Sequence, residues 1–194
     1  SRIRGKTARQ LEAALTEVLV EIALSKAKFK VMMEEEKMSS RGTDRVEYLF
    51  SANPGEPLKP LSKIASGGEM SRIMLALRTV LAQADEIETI VFDEIDIGTG
   101  GFSAQAVAEK LFMVSKNCQV ICVTHSPQIA SIADSHYIIT KKVKNKRTYI
   151  SVSMLSENER KDEISRMISG AQKTELTLKH AEEMFQTAKN FKKK

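Results

Sequence analysis

The stretch "TIVFDEIDIGTGG", residues 89–101, decides the fold. Ile90, Val91 and Phe92 form an apolar run that gives way at once to Asp93 and Glu94, and then to glycines. A short continuous apolar run that ends in polar residues reads as a strand buried in a parallel sheet. Helical patterns lie on either side of it. Upstream, Gly67 to Ala84 reads as a helix burying Met70, Ile73, Met74, Leu77, Val80 and Leu81. Downstream, a helix is predicted over 101–115, followed by a second apolar strand, "QVICVT". Helices alternating with apolar strands predict an α/β unit around a parallel sheet. After it come a short turn at "HSPQ", a strand at "HYIIT", a hairpin through "KKVKNK" to "TYISVSM", and two terminal helices.

The first sixty residues have another character. In residues 7–26, Leu11, Leu15, Val18, Leu19 and Ile22 recur at helical spacing. "AKFKVMM" and "RVEYLFS" then alternate with a period of two, as antiparallel strands do. The polar "EEEKMSSRGTD" between them reads as a solvated loop. "SANPGEPLKP" holds three of the four prolines, which makes it a boundary. The predicted organisation is therefore a helical segment (1–26), antiparallel strands with a proline-rich boundary (27–60), and an α/β region (61–194).

Three places carry candidate chemistry. Ser66-Gly67-Gly68-Glu69 opens a helix. Serine is a good N-cap, the glycines let a ligand approach the first amides, and the dipole favours an anion there. Arg72 lies one turn on and is expected to face the same anion. Asp93 and Glu94 end an apolar strand at the carboxyl edge of the sheet, where ligands of open α/β sheets bind. Such a pair suits a Mg²⁺ ligand, Asp93, beside a base for an attacking water, Glu94. Asp96 adds a third carboxylate. In "VICVTHSPQIA", His125 follows a second apolar strand that is expected to neighbour the first. A histidine there can bond a phosphate oxygen or a water.

A phosphate-binding loop of the form G-x-x-x-x-G-K-[ST] is absent from the sequence. Gly5-Lys6-Thr7 has its last three residues, but no apolar strand precedes it and a helical pattern follows. The chain thus has carboxylates, a histidine and a glycine-opened helix, without the lysine loop that grips β- and γ-phosphates.

Composition narrows the classes further. The 194 residues carry 30 basic and 25 acidic side chains, a net charge of +5 that permits nucleic-acid contact without demanding it. The Lys141–Arg147 cluster and the Lys192–Lys194 tail leave a non-enzymatic DNA- or protein-binding module as the alternative reading. Two cysteines, Cys118 and Cys122, have no zinc-ligand spacing and read as buried, reduced thiols. Tryptophan is absent, so no base-stacking platform is evident. No apolar run approaches the roughly 20 residues of a membrane span.

Taken in order, the SGGE helix, the strand ending in DE and the strand ending in TH resemble the ATP-binding-cassette ATPases. The SGGE stretch resembles their signature motif, "IVFDE" their Walker B motif and His125 their switch histidine. Within that superfamily, "LSKIASGGEMSRIMLAL", "TIVFDEIDIGTGG", "VTHSPQIA" and "TELTLKHAEEM" resemble the RecN-type DNA repair proteins, relatives of the structural-maintenance-of-chromosomes (SMC) ATPases. The resemblance implies the C-terminal half of an ABC-type P-loop ATPase head, a parallel sheet flanked by helices, with residues 1–26 as a helical stub of a coiled-coil arm. A missing N-terminal half would carry Walker A, and the chain alone would be inactive. The resemblance implies ATP and Mg²⁺ as cofactors, with Asp93 on the metal, Glu94 as base and His125 beside it. Ser66, Gly67, Gly68 and Glu69 would cap the γ-phosphate held by the opposite head of a homodimer. DNA ends at double-strand breaks would be the partner, and the location cytoplasmic, on the bacterial nucleoid. Gly100 and Gly101 stand where related heads carry a D-loop aspartate, so that role passes to no residue here. Another SMC-class head is the remaining alternative.

Overall fold

The structure, a computed structural model, describes residues 1–40, 42–81, 87–170 and 173–193. The predicted end of the helix at Ala84 and the last residue of the lysine tail lie outside these. The chain divides into two compact units, Ser1–Thr124 and His125–Lys194.

In the first unit, helix α1 (Arg2–Glu21) buries Leu15, Val18 and Leu19. Its side chain Glu12 accepts from the Val31 amide at 2.7 Å, which ties it to the strands that follow. Strands β1 (Lys28–Ser39) and β2 (Gly42–Ser51) pair antiparallel, with Phe29 opposite Phe50 and Val31 opposite Tyr48. They run well into the stretch expected to be a loop. Backbone pairing of Glu34 with Arg45 and Glu35 with Asp44 continues the ladder although no apolar side chain there is buried. Alternation records burial, so it ended before the hydrogen-bonded ladder did. A two-residue strand, β3 (Lys59–Pro60), adds to β2.

Helix α2 (Gly67–Leu81), strand β4 (Thr89–Asp93), helix α3 (Gly101–Ser115) and strand β5 (Gln119–Val123) form the α/β part. β4 and β5 are parallel neighbours, in register from Thr89 opposite Gln119 to Asp93 opposite Val123. Phe92 is buried together with Ile73, Leu75 and Ala76 of α2, Val107 and Leu111 of α3, and Leu15, Leu19 and Ile22. Two expectations need correction. Met74 and Leu81 of α2 are exposed while Leu75 and Ala76 are buried, so its inward face is turned by about one residue. The strand pair is covered on one face only, because Val91, Ile121 and Val123 are exposed.

The second unit contains α4 (Pro127–Ile132), β6 (Tyr137–Lys144), β7 (Arg147–Met154), α5 (Glu157–Ser169) and α6 (Glu175–Lys192). The expected turn at "HSPQ" is the start of α4. Ser126 is its N-cap and Pro127 its first residue, where a missing amide costs nothing. Reciprocal capping boxes start α5 (Ser156 with Glu159) and α6 (Thr174 with Thr177). Ala130, Ile164 and Ala181 form the small core, extended by Met167, Met184 and Phe185. Arg160 closes the end of α4 by donating to the Ala133 carbonyl at 2.6 Å. The β6–β7 turn, Asn145-Lys146, has φ of +51° and +59°, the backbone of a tight hairpin turn. Among the described residues, no helix is long and apolar enough to cross a membrane.

Candidate functional site

The start of α2 and the end of β4 meet in the first unit. Ser71 Oγ, in the first turns of α2, donates to the Asp93 carbonyl at 2.7 Å. The helix therefore begins where the strand ends, and the SGGE and DE motifs become neighbours within one chain.

The contact depends on the glycines, and on Gly68 above all. A Cβ on Gly68 would lie 3.0 Å from the carbonyl oxygens of both Glu94 and Ile97, and 3.2 Å from Ile97 Cβ. No side chain fits without moving backbone. A Cβ on Gly67 would lie 2.6 Å from Glu94 Oε2. The carboxylate of Glu94 thus lies over the helix start, where partial positive charge from the first amides favours an anion. Ser66 Oγ accepts weakly from the Glu69 amide, at 3.4 Å.

Asp93 and Glu94 are both exposed at the edge. Glu94 has φ of +58°, a left-handed conformation that costs a non-glycine residue about 1–3 kcal/mol. Such a residue persists only where its surroundings fix it. Here the Ile97 amide donates to the Glu94 carbonyl at 3.1 Å and closes a tight turn.

Arg72 does not face an anion, contrary to expectation. It is buried, and its Nη1 donates to the carbonyls of Ile97 at 2.7 Å and Ile95 at 3.2 Å. Burial pulls its pKa below the usual arginine value, with the Glu69 carboxylate opposing the shift. The helical turn carries Gly68 and Arg72 on one side, so the side chain follows its glycine into the loop.

Asp96 is likewise not a third carboxylate open to a ligand. It is buried, its Oδ2 accepts from Thr124 Oγ1 at 2.5 Å, and its carbonyl accepts from Thr99 Oγ1 at 2.8 Å. It fastens the end of β5 to the turn after β4. The Cys122 thiol, half-buried rather than buried, is pushed up to about 12, by desolvation first and then by the charges of Asp96 and Asp93. His125 follows Thr124 directly and opens the second unit, with its side chain exposed.

The donor set is lean. Among the described residues no three His, Cys, Asp or Glu side chains are grouped to hold a metal. A Mg²⁺ ion that keeps its waters and takes phosphate oxygens needs only one or two protein carboxylates, which Asp93 can supply. The helix start is bare of side chains, so a phosphate can approach its first amides, in the place that the Glu94 carboxylate oxygen takes here.

No family model matches the chain. It is 42% identical to the DNA repair protein RecN of Halalkalibacterium halodurans over 99% of its length, covering 35% of that relative. It is 47% identical to RecN of Bacillus subtilis over 80% of its length, covering 27% of that relative. The chain is a RecN-like segment. It spans about a third of the length of the first of these curated relatives. Among solved structures, this RecN-like segment is similar to an Smc head domain with a coiled coil and joint from Pyrococcus yayanosii. That match has a TM-score of 0.58 and 19% identity, over 86% of this chain and 30% of that one. It also matches an SMC ATPase chain from work on ATP-driven dimerisation and DNA-stimulated activation, with a TM-score of 0.51 and 20% identity, over 88% of this chain and 98% of that one. The fold is that of part of an SMC head domain.

Proposed function

We propose that this segment is the C-terminal part of an ATP-dependent DNA break-repair protein, active through ATP-driven pairing of two heads. The observation that carries the reading is the mating of a glycine-opened helix start with a strand that ends in Asp93-Glu94. ATP and Mg²⁺ would supply the transferable phosphoryl group and its charge neutralisation. Asp93 would take the metal, through water. Glu94 would accept a proton from the attacking water, and His125 would bond the phosphate or that water. Ser66, Gly67, Gly68 and Glu69 would meet the γ-phosphate bound by the other head.

The exposed apolar face of the β4–β5 pair supports a missing neighbour. A parallel sheet is normally covered on both faces, and Val91, Ile121 and Val123 stand 63%, 47% and 49% exposed. An N-terminal half carrying Walker A would supply both the cover and the phosphate loop. Residues 1–26 would be the foot of a coiled-coil arm, 27–60 its strand-built base and 61–194 the head.

DNA contact is favoured by the β6–β7 hairpin. Its register pairs Lys142 with Tyr149 and Lys144 with Arg147, so these share one face. Tyr137, Ile139, Val143, Ile150, Val152 and Met154 share the other and are all more than half exposed. The basic face, with Lys142, Lys144 and Arg147, would meet DNA phosphates.

The test is ATP-dependent self-association of the full-length protein, followed by light scattering. Ser66→Arg should abolish the ATP-induced dimer while mononucleotide binding persists, because a long cation fills the approach to Gly67 and Gly68. A variant that still dimerises with ATP overturns the trans-capping role.

A further inference from the structure

Glu94 is held from both sides by the same helix. Ser71 takes the carbonyl of the residue before it, Asp93, at 2.7 Å. Arg72 takes the carbonyls of Ile95 and Ile97, just after it, at 3.2 and 2.7 Å. Between these clamps Glu94 adopts its left-handed φ of +58°. On the same helix turn, Gly67 lies under its carboxylate and Gly68 against its carbonyl. The Arg72 Nε is buried and has no hydrogen-bond partner in the structure. Among the described residues, this buried arginine donates to backbone carbonyls of one loop and so recognises that loop's shape.

We propose that Ser71 and Arg72 are positioning residues for Glu94, and that they couple the helix start at Gly67–Gly68 to the carboxylate of the same head. The helix start and Glu94 then move as one body. If the helix start caps a nucleotide on the opposite head, its engagement there fixes the aim of Glu94 toward the nucleotide on its own head. Each head would thereby report the state of one site to the other. The inference rests on the function proposed above for its second half, and on the hydrogen bonds alone for its first.

The experiment uses Arg72→Met and Ser71→Ala in the full-length protein, with Arg72→Lys as the conservative variant. The first readout needs no nucleotide: amide hydrogen exchange over residues 94–98. Arg72→Met is expected to speed exchange there about tenfold or more while β5 and the C-terminal half of α2 keep their protection. Arg72→Met leaves the Ile95 and Ile97 carbonyls without their donor and so lowers global stability somewhat; the readout is therefore exchange at 94–98 relative to β5 and the C-terminal half of α2. The second readout is a split: kcat for ATP falls about 10- to 100-fold, while KM and ATP-induced dimerisation stay close to the parent. Arg72→Lys, able to reach one carbonyl, should recover part of both effects. Unchanged exchange at 94–98 overturns the positioning role. Equal loss of dimerisation and kcat, with raised exchange throughout α2, overturns it as well, because the residues would then serve only to build the helix. If Arg72→Met does not fold, Ser71→Ala gives the same two readouts. If Glu94→Gln leaves turnover intact, the catalytic reading fails, and the exchange result still decides whether the clamp exists.

Discussion

At the start of α2, a Cβ on Gly68 would come within 3.0 Å of two carbonyl oxygens, whereas on the β6–β7 hairpin Ile139 and Ile150 stand 63% and 68% exposed. Both regions come from short motifs of similar length, yet the first is closed on itself and the second is open on both faces. The junction between α2 and β4 has its partners within the chain: two glycines, a serine hydroxyl and an arginine, all spent on one loop. The hairpin has cross-strand backbone bonds and little else, and an isolated two-stranded hairpin is at best marginally stable in water. The contrast separates what this segment builds by itself from what it presents to something else.

The largest break expected at the junction is chemical. In the full-length protein, Glu94→Gln should slow phosphate release by about 10²–10⁴-fold, the span of a lost general base, while ATP-induced dimerisation remains. A near-parental rate would remove Glu94 from that role. The next is structural and can be read on the 194-residue chain itself. Gly68→Ala pushes a methyl group against backbone and should cost about 1–3 kcal/mol in urea unfolding. Gly67→Ala should cost less, because its obstacle is the movable end of the Glu94 side chain. Equal costs at the two glycines would mean that the close packing around Gly68 does not govern the junction. The smallest effect is expected at the hairpin. Replacing Lys142, Lys144 and Arg147 by Gln should leave unfolding within about 0.5 kcal/mol of the parent. It should also flatten the salt dependence of DNA binding by up to about three phosphate contacts. An unchanged salt slope would remove the hairpin from the DNA surface and leave its exposed faces to protein contacts.

Much of this was legible in the sequence. The spans of β4, α3 and β5 follow directly from apolar runs and helical spacing, because burial in this region is strong enough to mark them. The resemblance of the three motifs to RecN-type proteins agrees with the relatives the chain matches along its length. One misreading has a clear cause. Arg72 is expected to face an anion because a charged side chain near a candidate site invites that role, but it is buried and bonded to the loop after β4, while Asp96 is buried and bonded to Thr124 at the end of β5. A signal for Arg72 was present in its spacing of four residues from Gly68, which places it on the packed side of the helix. The full length of β1 and β2 was not legible, since their ends toward the turn bury no apolar side chain and leave no alternation to read. The start of α4 at "SP" was legible from the N-cap and N1 preferences and was passed over for a turn.

The sequence by itself determined the local elements, the order of the motifs and the absence of a lysine loop, because these depend on residue type and spacing alone. Only the tertiary structure decided that the SGGE and DE motifs abut within one chain, that Ser71 and Arg72 grip the backbone around Glu94, and that Glu94 takes a left-handed conformation. Those outcomes depend on a helix returning along its strand, so that residues more than twenty positions apart share hydrogen bonds. Residue types fix which groups can bond, and the packing of α2 on β4 selects which of them meet.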